Sequence, residues 1–348
     1  MVKRGNTAHV LIVRFSAMGD VAMLVPCILA LREQYPNLKI TILTRERFKP
    51  IFNGVKNVTV FSAKVQKEHK GFIGLYRLYR QLNTLGIDAV ADTHNVLRSK
   101  ILKLFFDLKG ITVAQIDKGR KEKKRLINRK VFKQLKTTHR RYTDVFQQLK
   151  LPIDLTKDNV LPTMALPKIM EGSSDADTIL IGIAPFAAYK SKMYPLVLMN
   201  GVLEKLTTNP HVKVLLFGGG QQEVNQLEAV QNRFSNNVIN VAGKLSFEEE
   251  LAVISNLRLM IAMDSGNGHL AANYGVDVVT LWGVTHPYAG FAPFGQPLEN
   301  SICADREKYP LIPTSVYGNK HPPGYEKVME TISPETVYQM IIDKLDAR

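Results

Sequence analysis

Ten short runs rich in Val, Ile and Leu, each followed by a stretch whose apolar residues recur at helical spacing, set the tightest limit on what this chain can fold into. Near-continuous apolar runs of this length read as strands buried on both faces. Regular alternation with helices means parallel strands joined by crossovers. In the first half, strands are expected at residues 10–14, 39–44, 58–61, 89–93 and 111–116, with helices at 21–34, 73–85, 96–106 and 138–149. Residues 150–178 lose periodicity and collect Pro152, Pro162, Pro167, Gly172 and a Ser-Ser-Asp cluster, which predicts a linker with an edge element. A second series follows, with strands at 179–184, 212–217, 238–241, 259–263 and 278–282 and helices at 196–206, 222–233, 247–254 and 269–274. A last helix over 334–345 starts with Ser333 as cap and Glu335 in its first turn. The expected class is α/β, with two Rossmann-like domains at 1–165 and 166–330. A terminal helix, 331–348, is expected to pack back toward the first domain.

With 348 residues, each half can bury its own core. The apolar and charged fractions, 45% and 22%, are those of ordinary globular proteins and exclude disordered and collagen-like classes. The longest apolar run, 21–31, is too short to cross a bilayer and contains Pro26, while Arg14 and Asp20 interrupt any signal-peptide core. A cytoplasmic, monomeric protein is the expectation. Cys27 and Cys303 lie far apart, without neighbours at metal-ligand spacing, so neither a disulfide framework nor a zinc site is indicated.

The formal charge of +15 hides an uneven distribution. Residues 1–170 hold 33 Lys and Arg against 12 Asp and Glu, a balance of +21, whereas 171–348 hold 13 against 19, or −6. The excess peaks over 118–141, where twelve basic residues accompany one acid, Glu122. A solvated basic helix would explain the run alone. A whole half at this charge points to an anionic partner: nucleic acid, an anionic membrane surface or a phosphorylated substrate.

Open α/β sheets bind ligands beyond the carboxyl ends of their strands, so the loops there are the places to search. After the strand at 259–263 come Asp264, Ser265 and Gly266, then Gly268 and His269 in a small-residue helix. The glycines and the helix start would turn backbone N–H groups outward, with His269 one turn in, a combination suited to a phosphate. The same residues also suit a plain helix cap. A serine nucleophile is excluded, because the elbow pattern needs glycine where Met263 stands and because the chain is not a β-barrel sequence. After the first strand, Gly19 allows a close turn and Asp20 begins a helix, either as an acid favoured by the helix dipole or as a carboxylate able to take a proton from a bound hydroxyl. Asp92, Thr93, His94 and Asn95, with Arg98 just beyond, give the same cleft a polar wall.

RFSAMGDV at 14–21, YPNLKITILT at 35–44, APFAAYKSKMYP at 184–195 and DSGNGHLAANYGVDVVTLWGVTHP at 264–287 resemble, in this order, glycosyltransferase family nine, the ADP-heptose lipopolysaccharide heptosyltransferases. The resemblance spans nearly the whole chain. It implies the GT-B fold, two facing Rossmann-like domains with the acceptor bound by the first and the nucleotide-sugar by the second, and an inverting transfer that needs neither metal nor cofactor. Asp20 then matches the general base, and Lys192 the lysine that neutralises the donor diphosphate, with Lys190 a close rival. Asp264, Ser265, Gly266 and His269 match the donor-phosphate loop, where the family usually has threonine in place of Ser265. Glu223 matches an acid on the nucleotide ribose, and Leu245 falls where backbone groups meet the base. On the acceptor side the expected contacts are Ser16, Gly19, His94, Arg98, Arg120, Lys121 and Lys124. The expected partners are a nucleotide-diphosphate sugar, an anionic glycolipid acceptor and the inner-leaflet membrane surface.

Other classes are weighed on the residues. The basic run carries no nucleic-acid motif and no interleaved aromatic platform, so no nucleic-acid partner is expected. No phosphate-binding loop of the Gly-x-x-x-x-Gly-Lys-Ser/Thr type occurs, and Gly218-Gly219-Gly220 lacks the full dinucleotide fingerprint. A GT-B enzyme using another nucleotide-sugar, a UDP-sugar transferase or an epimerase, is the nearer rival.

Overall fold

The computed structural model describes residues 8–170, 177–234 and 237–347. The chain forms two compact units, one built from the chain up to Arg120 together with Lys136–Leu161, the other from Lys121–Leu135 and the chain from Pro162 onward. Gly172 and the Ser-Ser-Asp cluster of the expected linker lie outside the described residues.

The first unit carries β1 (His9–Val13), β2 (Lys39–Thr44), β3 (Val58–Ser62), β4 (Ala89–Asp92) and β5 (Thr112–Gln115). They form one sheet in the order β3-β2-β1-β4-β5, every pair parallel. β1 is buried along its whole length, which is why HVLIV shows no alternation. Its helices are α1 (Met18–Ala22), α2 (Val25–Gln34), α3 (Gly71–Asn83), α4 (Leu97–Leu108), the start of α5 (Arg120–Ile127), and α6 (Thr138–Gln148). The single helix expected over 21–34 is two, because Pro26 lacks an N–H and its ring excludes a continuous helical turn before it. Pro26 instead sits in the first turn of α2.

The second unit carries β6 (Ile179–Ala184), β7 (Val212–Leu216), β8 (Val238–Asn240), β9 (Leu259–Met263), β10 (Asp277–Trp282) and β11 (Ser301–Cys303), again all parallel, in the order β11-β10-β9-β6-β7-β8. Read from the other edge, this is the strand order of a dinucleotide-binding fold, and the first unit has the same order without the sixth strand. α7 (Leu196–Leu206), α8 (Gln221–Gln231), α9 (Phe247–Ser255), α10 (Gly266–Ala272) and α11 (Pro334–Asp346) complete it. Ser246 caps α9 through a reciprocal box, its hydroxyl accepting from Glu249 N while Glu249 Oε2 accepts from Ser246 N. The terminal helix, expected to turn toward the first domain, buries Val337 and Ile341 in the core of the second unit, with Tyr338, Met340 and Leu345 packed around them. Those residues line one stripe at helical spacing, and α7 with β9 and β10 supplies the surface that covers it.

Among the described residues, no helix is long and apolar enough to cross a membrane. Because Ile341 is fully buried, Ile341→Ala should cost the second unit about 2–5 kcal/mol in urea unfolding. A loss under about 0.5 kcal/mol would show that α11 is not part of that core.

Candidate functional site

In the first unit, the strand order reverses between β1 and β4, and the loops that leave these two strands carry the polar residues. Arg14 follows β1 directly and is buried. Its Nη1 donates to Thr93 O at 2.5 Å, and its other amine forms an ion pair with Asp20. Burial opposes the Arg14 charge, but Asp20 and Tyr142 outweigh it and hold the guanidinium above its ordinary pKa. Asp20, in the first turn of α1, has a side chain 27% exposed. Ala17 N donates to its Oδ2 at 3.3 Å, and its backbone oxygen accepts from the buried Tyr142 hydroxyl at 3.0 Å. The carboxylate is therefore fixed beside a cation yet reachable from solvent.

At the end of β4, Asp92 Oδ1 accepts from the backbone N–H of His94 and of Asn95, both at 2.9 Å, and Oδ2 accepts from Gln115 Nε2 at 2.7 Å. His94 is thereby turned back over β1. Its Nδ1 accepts from Phe15 N at 3.5 Å, which leaves the proton on Nε2, 3.4 Å from Ser16 Oγ. Burial, then the charges of Arg14 and Lys118, pushes the His94 pKa down to about 3, so the ring is neutral near pH 7. Lys118 is half-buried, and burial followed by Arg14 and Arg120 lowers it to about 8. Ser16, Gly19, Asp20 and His94 are thus gathered around Arg14.

Sequence reading missed a cleft of about 340 Å³ in the same unit, where the chain leaves β2 and β3. Arg45, Arg47, Lys64 and Lys67 line it, with Glu46 the one acid. Arg45 Nε is buried without a hydrogen bond, and burial together with the charges of Arg47 and Arg98 lowers the Arg45 pKa. Arg98 belongs electrostatically to this cleft. The signal was present only as four basic residues scattered over two loops.

The basic run at 118–141 is not one solvated surface. Arg120, at its start, is exposed in the first unit, whereas Lys121 and Lys124 are exposed on the part of α5 that joins the second unit. Lys123 is buried there, its ammonium 3.9 Å from the centre of the Phe291 ring. Leu126 and Leu135 pack with Ala289, and Leu135 N donates to Tyr288 O at 2.9 Å.

In the second unit the order reverses between β6 and β9. A 3₁₀ turn, Lys190–Lys192, follows β6, and Asp264 follows β9. Lys192 Nζ donates to Asp264 O at 2.5 Å and pairs with Asp264 Oδ2 at 3.2 Å, while Thr285 Oγ1 donates to the same oxygen at 2.9 Å. Both ion-pair side chains are only 10% exposed. Gly318 seats the lysine: its φ of +82° disfavours other residues, and a Cβ there would lie 2.6 Å from Lys192 Cγ and Cδ. Ser191 Oγ donates to Gly318 O at 2.5 Å and locks this approach. Thr285, Ser191 and Gly318 had no assigned role in the sequence, since nothing local marks a contact across 21 residues, as for Thr285 with Asp264, or across 127, as for Ser191 with Gly318. Lys190, the rival of Lys192, is exposed.

Ser265 is extended at the start of α10, but its side chain makes no capping hydrogen bond, so the hydroxyl is not used by the helix. Gly266 opens α10 and His269 is buried one turn in. The first-turn N–H groups have no partners within a helix and lie at the same sheet edge as Lys192. Glu223, in the first turn of α8, accepts from Gly219 N at 2.7 Å through Oε2. Leu245 is half-buried next to the Ser246 cap. All of these lie in the loops or opening helical turns that follow strands of the second sheet at its carboxyl edge.

The family model for glycosyltransferase family 9 (heptosyltransferase) matches residues 75–330. The lipopolysaccharide core heptosyltransferase OpsX of Haemophilus influenzae is 22% identical over 303 residues, 85% of this chain and 84% of that protein. The crystal structure of a family 9 glycosyl transferase from Veillonella parvula superimposes with a TM-score of 0.76, at 19% identity and full coverage of both chains. E. coli heptosyltransferase WaaC with ADP gives a TM-score of 0.70 at 16% identity, covering 97% of this chain and 99% of that one.

Since the folded His94 pKa lies below the ordinary value near 6.5, the unfolded chain takes up its proton first on acidification. The stability from the neutral ring is complete above about pH 6.5 and is lost as pH falls toward 3. His94→Asn should therefore lose less stability than the parent between about pH 7 and 4 in urea titrations. Parallel losses in the two proteins would contradict a buried neutral His94.

Proposed function

The chain belongs to glycosyltransferase family 9 (heptosyltransferase), with a GT-B fold of two parallel-sheet α/β domains, and we propose that it moves a heptose from ADP-heptose to a lipopolysaccharide core acceptor, inverting the anomeric centre without a metal. The observation that carries this reading is the pairing of Lys192 with Asp264, whose carboxylate also accepts from Thr285, at the switch point of the second sheet. It sets a nearly buried cation beside a helix start, a combination that suits a diphosphate. The names of relatives and neighbours support it, a lipopolysaccharide core heptosyltransferase and WaaC with ADP.

In this reading Asp20 takes the proton of an acceptor hydroxyl as its oxygen attacks the anomeric carbon. The bond from that carbon to the diphosphate breaks, and its electron pair leaves with the phosphate oxygen. Lys192, the first-turn amides of α10 and His269 meet the charge that develops there. The pair with Arg14 fixes the position of the Asp20 carboxylate, which stays partly open to solvent. Glu223 would hold the ribose and the backbone at Leu245 the base. Ser16, Gly19 and His94 would contact the acceptor at the reacting end, and the Arg45 cleft with Arg98 would take its acidic groups. Arg120, Lys121 and Lys124 would contribute exposed charge toward an acceptor held in the inner leaflet of the cytoplasmic membrane.

Asp20→Asn should lower kcat by at least about a thousandfold while the thermal shift given by ADP stays at the parent value. Parental kcat in that variant would remove Asp20 from the chemistry. In the parent, ADP should raise Tm more than UDP or GDP at equal concentration, since ligand at about 100 times Kd stabilises by about 2.7 kcal/mol. A larger shift with UDP would assign another nucleotide, and no shift with any of the three would defeat the donor-site reading.

A further inference from the structure

Half of the large hydrophobic side chains exposed among the described residues, six of twelve, lie on two adjoining helices of the first unit: Phe72, Ile73 and Tyr76 on α3, and Leu97, Leu104 and Leu108 on α4. At 3.6 residues per turn, Leu97, Ile101, Leu104 and Leu108 fall along one line of α4, while Phe72 and Tyr76 are one turn apart on α3. The two lines meet at Phe105, whose ring is edge-on to both Phe72 and Tyr76 at 5.4 Å. The result is an apolar ridge, with Ile73 and Leu108 each about three-quarters exposed. Scattered exposed leucines need no explanation, but a connected apolar strip of this kind marks a surface that meets something.

Charge says what it meets. Arg80 flanks the ridge on α3, Lys100 and Lys103 flank it on α4, and Lys70 and Lys109 stand just before and after the two helices. The only acid on either helix, Asp107, is paired with Lys103, and nearby Glu68 lies 3.5 Å from Lys64. A second copy of this chain would bring one basic rim against another and is disfavoured. A bilayer surface with anionic headgroups satisfies both parts, since the apolar side chains enter the headgroup and acyl boundary while the lysines and arginines remain among phosphates. α3 and α4 begin at the carboxyl edge of the first sheet, next to the Arg45 cleft and to His94, so a surface seated on the ridge lies alongside the acceptor residues.

We propose that the α3–α4 ridge of the first unit is a membrane-docking surface for anionic lipid. It deepens the reading of a membrane-held acceptor and relies on that reading only for its purpose, because lipid binding needs no transfer. The test is co-sedimentation of the full chain with vesicles of phosphatidylethanolamine and phosphatidylglycerol, with pure phosphatidylcholine vesicles as control. Leu104→Ser/Leu108→Ser should bind the anionic vesicles about tenfold more weakly, and Arg80→Glu/Lys100→Glu should weaken binding at low salt, by an amount that shrinks as salt rises. The leucine variant should keep parental turnover on a soluble, deacylated acceptor. Leu108→Trp should shift its emission to the blue on adding anionic vesicles, against the constant signal of the buried Trp282. Unchanged binding in the leucine variant, or no shift at position 108, would overturn the proposal. So would a lipid-free dimer that the leucine variant dissociates. Vesicle binding by a chain that transfers nothing would uphold this surface while removing the function proposed above.

Discussion

Parallel strand pairing is the constraint on which the rest of the structure depends. Every parallel strand must return by a crossover, so each delivers its outgoing loop to the same edge of the sheet. Where the order reverses, two adjacent loops turn in opposite directions and open a space between them. The chain does this twice, at β1 with β4 and at β6 with β9. At both places it has put the same device, a cation from the loop after one strand ion-paired with an acid: Arg14 with Asp20, Lys192 with Asp264.

A buried charge persists only when its donors and acceptors are satisfied. Arg14 meets that condition at its two terminal amines, through Thr93 O and Asp20, while its Nε is left without a hydrogen bond; Lys192 meets it through the carbonyl and carboxylate of Asp264, whose Oδ2 also receives Thr285. The two pairs differ in what they leave reachable. Around Arg14 the cation is buried and the acid is partly open, which suits a group that must take a proton. At Lys192 both partners are nearly buried, beside the amides of a helix start, which suits charge stabilisation by groups that need not move. The difference follows from exposure alone.

The strands were readable because burial on both faces leaves nothing polar to interrupt a run such as LMIAM, and their ends were readable because Arg14, Asp92 and Asp264 stop those runs. β11 was not, since three residues at a sheet edge carry no pattern. The break before α2 was written in Pro26, but the apolar run across it masked the signal. Contacts between distant residues left no trace. The seat of Lys192 on Gly318 depends on a positive φ that only the fold defines, and the Arg45 cleft is assembled from two loops whose basic residues look like ordinary surface. The run at 118–141 misled by its uniformity. Lys123 lies over Phe291 and Arg141 lies against Gly119, so charge density in sequence does not translate into charge available at the surface.

The excess of basic residues in the first half therefore divides by environment rather than by position. Some of it is structural, as at Arg14, Lys123 and Arg141, held by rings, carbonyls and carboxylates. Some lines the Arg45 cleft, where burial and then the charges of Arg47 and Arg98 lower the Arg45 pKa, and where an anion would offset like charges brought together. The remainder is exposed and screened by salt beyond roughly 10 Å, which makes it useless for fixing an atom but effective for holding the chain against a charged surface. The proposed transfer, from a small donor to an acceptor held in a membrane, would use both kinds: few buried charges where bonds change, and many exposed ones where a large anionic surface is kept near.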